Sequence, residues 1–98
     1  MKRENIITVL REHEPELRAA GIVRLALFGS AARRQASPSS DIDLLAAFDE
    51  KKRISLLDVV HLENRLSDLL GQKVDLVEED MLRQRARESL ARDLIRAF

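Results

Sequence analysis

The spacing of apolar residues divides the chain into short alternating elements. Between Arg3 and about Ala20, the residues Ile6, Ile7, Leu10, Leu17 and Ala20 recur at near-helical intervals. Pro15 falls inside that run and Gly21 closes it, so the pattern predicts a helix, a break and a second short helix. Ile22 to Phe28 is a nearly continuous apolar run ended by Gly29, the mark of a largely buried strand. Ser30 is placed to cap a short helix from Ala31 to about Gln35, and Ala36-Ser37-Pro38-Ser39-Ser40 reads as a loop. Asp41 to Phe48 alternates as a second strand, with Ile42, Leu44, Ala46 and Phe48 on one side and Asp41, Asp43, Leu45 and Ala47 on the other. After the charged connector 49–53, Ser55 and Asp58 form a capping-box pattern with aspartate in the usual glutamate place. Leu56, Val59, Leu62, Leu66, Leu69 and Leu70 then make an apolar stripe that stops at Gly71. Lys73 to Val77 is a short third strand. Asp80 opens a last helix from about Met81 to Phe98, on which Leu82, Ala86, Leu90, Leu94 and Phe98 repeat every four residues.

The resulting order, α-β-α-β-α-β-α, predicts an α+β fold built on a small mixed sheet of three strands. About ten residues separate Ser30 from Asp41, too few for a helical crossover, so the first two strands are expected to run antiparallel. The end of the first then lies beside the start of the second, bringing Gly29-Ser30 close to Asp41 and Asp43. A whole helix intervenes between Phe48 and Val74, which lets the third strand run parallel to the second and carries Asp75 to the aspartate pair.

Length and charge narrow what such a fold can be used for. Ninety-eight residues suit one domain, 1–98, with no room for a second folded unit. The hydrophobic share is 45% and the charged share 35%, as in ordinary globular proteins, and no apolar run approaches a membrane helix or a signal peptide. Lys+Arg and Asp+Glu are both 17, so no global basic field would hold nucleic acid to this chain alone. The absence of cysteine removes thiolate chemistry and agrees with a cytoplasmic location.

Two carboxylates at i and i+2 on a strand share a face, about 6.6 Å apart at a rise of about 3.3 Å per residue. Such an oxygen-rich pocket suits a hard cation such as Mg²⁺, whose remaining positions are filled by water and phosphate; two ions about 3.5 to 4 Å apart would stabilise both attacking and leaving oxygens. Asp75 would be the third ligand and could orient or deprotonate an attacking hydroxyl. Gly29 lets a phosphate approach the main-chain N–H groups at a helix start, where Ser30 adds a donor. Arg33 and Arg34 match phosphate oxygens, although as residues of a short helix they read equally well as surface charges. Ser40, just before the pair, completes the expected nucleotide-binding set of Gly29, Ser30, Arg33, Arg34 and Ser40.

Together, Leu27-Phe28-Gly29-Ser30-Ala31-Ala32-Arg33-Arg34, then Ser40-Asp41-Ile42-Asp43-Leu44-Leu45, then Lys73-Val74-Asp75-Leu76-Val77, resemble the minimal nucleotidyltransferase (MNT) group of the DNA polymerase β superfamily. The resemblance runs from about Leu10 to the final helix and rests on three separated motifs in the right order. It implies Gly29 and Ser30 at the triphosphate, with Asp41, Asp43 and Asp75 at Mg²⁺ or Mn²⁺. Many members carry glycine after the arginine of the Gly-Ser helix, where this chain has Arg34-Gln35. The resemblance further implies a setting. Such domains are commonly paired with a small helical HEPN-type ribonuclease toxin and act as its antitoxin, in some cases by attaching AMP from ATP to a tyrosine of the toxin.

Three functions therefore compete: transfer of a nucleoside monophosphate to a partner protein, inhibition of a partner by occlusion alone, and modification of a small molecule within a homo- or hetero-oligomer. Three aspartates crowded without a cation repel one another, which speaks against occlusion with a vestigial pocket. His13 and His61 read as surface residues. The arginines of the last helix, among them Arg83, Arg87 and Arg96, are offset by Glu78, Glu79, Glu88 and Asp93 and read as a solvated or partner-facing surface.

Overall fold

The computed structural model describes residues 2–28, 41–79 and 94–98. The expected break near Pro15 is present. Helix α1 (Arg3–Glu12) ends at His13, and α2 (Glu14–Ala19) begins at once, with Pro15 in its first turn. There the missing proline N–H leaves no hydrogen bond unmade. His13 joins the two helices: its N–H donates to Val9 and Leu10, its carbonyl accepts from Leu17, and its Nδ1 lies 2.9 Å from the Val9 carbonyl.

Gly21 then turns the chain into β1 (Ile22–Phe28) at φ +113°, a region that side chains rarely adopt. A Cβ there would lie 2.7 Å from Ile54 Cδ1, while the Gly21 carbonyl accepts the Asp49 N–H, so close approach and backbone angle both call for glycine.

Strand β2 (Ile42–Phe48) pairs antiparallel with β1, and β3 (Val74–Glu78) pairs parallel with β2, as the connection lengths require. Between them α3 (Leu56–Leu70) starts on a reciprocal capping box. Ser55 Oγ accepts from the Asp58 N–H and the Asp58 carboxylate accepts from the Ser55 N–H. The helix closes on Gly71 in the left-handed region, φ +69°.

Two expectations need correction. The sheet has a fourth strand, β4 (Ile95–Arg96), antiparallel to β1 at its outer edge, so the order is β3-β2-β1-β4. A final helix running to Phe98 is therefore wrong at its end; residues 80–93, its remaining part, lie outside the described residues. Main-chain bonds outweigh the helical spacing of Leu94 and Phe98. The Ala97 N–H donates to Leu25, Leu25 N–H donates to the Phe98 carbonyl, and Arg11 Nε reaches the Ala97 carbonyl at 2.8 Å. Arg18 also sits over the Phe98 ring, 5.0 Å from its centre. The second correction concerns Leu56, placed in the core stripe by periodicity but 81% exposed at the first turn of α3.

One core lies between the helices and one face of the sheet. Leu27, Leu44 and Leu76 stand side by side across three strands and pack with Ile6, Leu10, Leu17, Leu62 and Leu66. Among the described residues no helix is long and apolar enough to cross a membrane.

Candidate active site

Strand pairing fixes which residues share the other face. Phe28, the last residue of β1, is the Cα partner of Asp43 on one side, and Asp75 is its partner on the other. Residues paired across neighbouring strands project to the same face, so Asp43 and Asp75 stand next to each other. Gly29 follows Phe28 directly, so the chain enters the Gly-Ser segment from beside this pair. Asp41 sits just ahead of β2 and is exposed, Asp43 is half-buried and Asp75 is exposed.

Charge follows from that placement. The Asp43 carboxyl is raised above its ordinary value, first by burial, then by the negative charge of Asp75, then by that of Asp41. The charges of Asp75 and Asp41 therefore both act on Asp43, at the start of the strand that lies between β1 and β3. Among the described residues no three acidic or imidazole side chains are already gathered at cation-holding distance. What the strands supply is the Asp43–Asp75 pair with Asp41 near enough to perturb it. Hard carboxylate oxygens of this kind suit a hard divalent cation, which would relieve their repulsion.

Gly29, Ser30, Arg33, Arg34 and Ser40 lie outside the described residues. Further along the carboxylate face, Leu45 and Ala47 follow Asp43 at two-residue steps. With Arg24, Ala26, Leu94 and Arg96 they line a groove of about 180 Å³. Arg24 spans the face to Glu79 at 2.8 Å.

Two residues that the periodicity did not single out bear on the site. Glu63 Oε2 accepts the Leu76 N–H at 2.9 Å, and Ser67 Oγ accepts the Val74 N–H at 2.9 Å. Their only trace in the sequence is a glutamate and a serine four apart, beside the buried Leu62 and Leu66 of α3.

Residues 4–96 match the family described as polymerase beta nucleotidyltransferase. The chain belongs to that family. This nucleotidyltransferase is 43% identical over 89 residues to a Methanocaldococcus jannaschii protein provisionally named a protein adenylyltransferase, with 89% of each chain covered. It is 37% identical over 93 residues to the protein adenylyltransferase MntA of Thermococcus cleftensis, covering 94% of this chain and 92% of that one. A solved minimal nucleotidyltransferase superposes with a TM-score of 0.76 at 43% identity, over 97% of this chain and 95% of the other. The same fold occurs in two toxin–antitoxin structures. One was solved with AMP-PNP (TM-score 0.66, 22% identity, 100% of this chain and 73% of that one). The other is a tri-AMPylated Shewanella oneidensis HEPN toxin in complex with an MNT antitoxin (TM-score 0.57, 21% identity, 98% and 68%). Enzymes of the family generally use divalent metals.

Proposed function

We propose that this nucleotidyltransferase is a one-domain cytoplasmic enzyme that transfers AMP from ATP to a hydroxyl of a partner protein, and that the partner is a small helical HEPN-type toxin which it silences as antitoxin. The observation that carries the reading is the alignment of Asp43 with Asp75 on adjacent parallel strands, at the exit of the strand that leads into Gly29-Ser30. Relatives named protein adenylyltransferase support the transferred group and the protein acceptor, and the toxin complex supports the kind of partner.

In this reading Asp41, Asp43 and Asp75 hold two Mg²⁺ ions, for which Mn²⁺ can substitute, and the bound ions supply charge neutralisation at the phosphates. Gly29 and Ser30 receive the triphosphate, with Arg33, Arg34 and Ser40 completing its contacts. The acceptor hydroxyl attacks the α-phosphorus, the bond from that phosphorus to the bridging oxygen breaks, and pyrophosphate departs with the electron pair. The hydroxyl proton passes to Asp75, whose carboxylate is exposed on the same face. Positioning and charge neutralisation carry the reaction, without a covalent enzyme intermediate.

Incubation with labelled ATP, Mg²⁺ and the helical partner should label the partner, and Asp41→Asn with Asp43→Asn should abolish the label. Full neutralisation of the partner by that double variant would favour occlusion instead. Label found only on a small molecule would move the acceptor out of the protein class.

A further inference from the structure

Strand β3 forms an outer edge of the sheet, so alternate N–H groups along it face away from β2 and have no strand to meet. Two of these outward groups belong to Val74 and Leu76, the residues on either side of Asp75. Both are taken by side chains of α3: Val74 donates to Ser67 Oγ and Leu76 to Glu63 Oε2, each at 2.9 Å. The Ser67 acceptor is itself tied to α3, its Oγ donating to the main-chain carbonyl of Glu63 at 2.7 Å. Ser67 is also fixed from below, its carbonyl accepting the Gly71 N–H that closes the helix. Both side chains are half-buried between helix and strand, where a carboxylate acceptor makes a stronger bond than a neutral one.

Covering an edge strand would need acceptors anywhere along its length. Here both bonds fall on the neighbours of the one residue whose height against β2 matters. A slip of one residue would turn Asp75 to the core face, and a slip of two would set it opposite Leu45 or Asp41 instead of Asp43. We infer that Glu63 and Ser67 are positioning residues that hold Asp75 level with Asp43, so that the two carboxylates can share a divalent cation. The inference rests on the reading of Asp43 and Asp75 as cation ligands.

The test uses the full chain with Glu63→Ala, Glu63→Gln, Ser67→Ala and Ser67→Thr, Mn²⁺ as the probe ion, and amide exchange followed by NMR. Glu63→Ala should speed exchange at Leu76 and Ser67→Ala at Val74. Each should weaken Mn²⁺ binding by about 10- to 100-fold, the usual scale for loss of a group that orients a metal ligand. At saturating Mn²⁺, kcat for AMP transfer should fall with little change in the KM for ATP. Glu63→Gln and Ser67→Thr, which keep an acceptor in place, should recover most of both quantities. Ser67→Ala removes a single oxygen and keeps the test readable if Glu63→Ala melts below the assay temperature. Faster exchange with wild-type Mn²⁺ affinity and kcat would overturn the inference and leave only edge protection. Asp43→Asn separates the two failures. If it is inactive while Glu63→Ala is unaffected, the positioning role alone falls; if it remains active, the carboxylate site falls and the positioning role with it.

Discussion

Asp43 and Leu44 are neighbours on β2, yet the two faces they occupy obey different rules. On the helix side, Ile42, Leu44 and Ala46 are at most 1% exposed and belong to the apolar core. On the other side, Asp43 is half-buried beside two like charges, with its carboxyl raised as a result. One face lowers the free energy of the fold. The other holds charge in an arrangement that the bare protein would relax if it could. Stability and chemistry are thus interleaved at single-residue spacing, and each can be removed without the other.

The largest effect should come from Asp43→Asn. Removing one charge-stabilising group at a phosphoryl centre is expected to lower AMP transfer on the order of a hundredfold or more, while circular dichroism stays that of the wild type. In the metal-free protein the same variant should melt higher at neutral pH, because a carboxylate disfavoured by burial and then by its charged neighbours has been replaced by a neutral amide. A lower melting temperature would break the contrast between the faces. Leu44→Ala should do the reverse, costing about 2–5 kcal/mol in denaturant unfolding with kcat per folded molecule preserved.

Acid titration sharpens the same point. The folded chain holds the Asp43 proton more tightly than the unfolded chain, so this group's contribution to stability is fullest below the ordinary carboxylate value and is lost as pH rises through its raised folded value. Melting curves of metal-free wild type minus those of Asp43→Asn should show that fall, and saturating Mg²⁺ should flatten it.

Smaller effects are expected away from both faces. Gly21→Ala meets Ile54 and an unfavourable φ, for a cost of about 1–3 kcal/mol in thermal or denaturant unfolding. Ser55→Ala removes half the capping box, about 1 kcal/mol by the same measurement. Neither should change kcat.

What the sequence disclosed was set by how local each cause is. The capping box, the stops at Gly21 and Gly71 and the alternation along β2 are all decided within a few residues, and each appears where the pattern puts it. The nearness of Asp75 to the aspartate pair was legible because connection length dictates strand direction; its place opposite Asp43 depends on register, which the alternation of buried and exposed positions along both strands restricts. Strand β4 was hidden because two residues carry no period of their own; its cause is a set of main-chain bonds to the distant Leu25. Leu56 obeys the helical period, but at the first turn of α3 it is left in solvent. Glu63 and Ser67 look like ordinary helix polar residues until the strand behind them is in place. The expected phosphate contacts of Gly29, Ser30, Arg33, Arg34 and Ser40 fall outside the described residues.

The pairing of β1 with both β2 and β4 also bears on the order in which the sheet can assemble. Leu27 meets Leu44 across a short span of chain and Ile95 across a roughly fourfold longer one. The entropy lost on closing the longer loop is greater by about 1 kcal/mol, and a two-residue ladder with the few bonds of Ala97 and Phe98 to Leu25 and Arg11 offsets it. The carboxylate-bearing strand should therefore find its central partner early, with the far edge of the sheet docking last and releasing first.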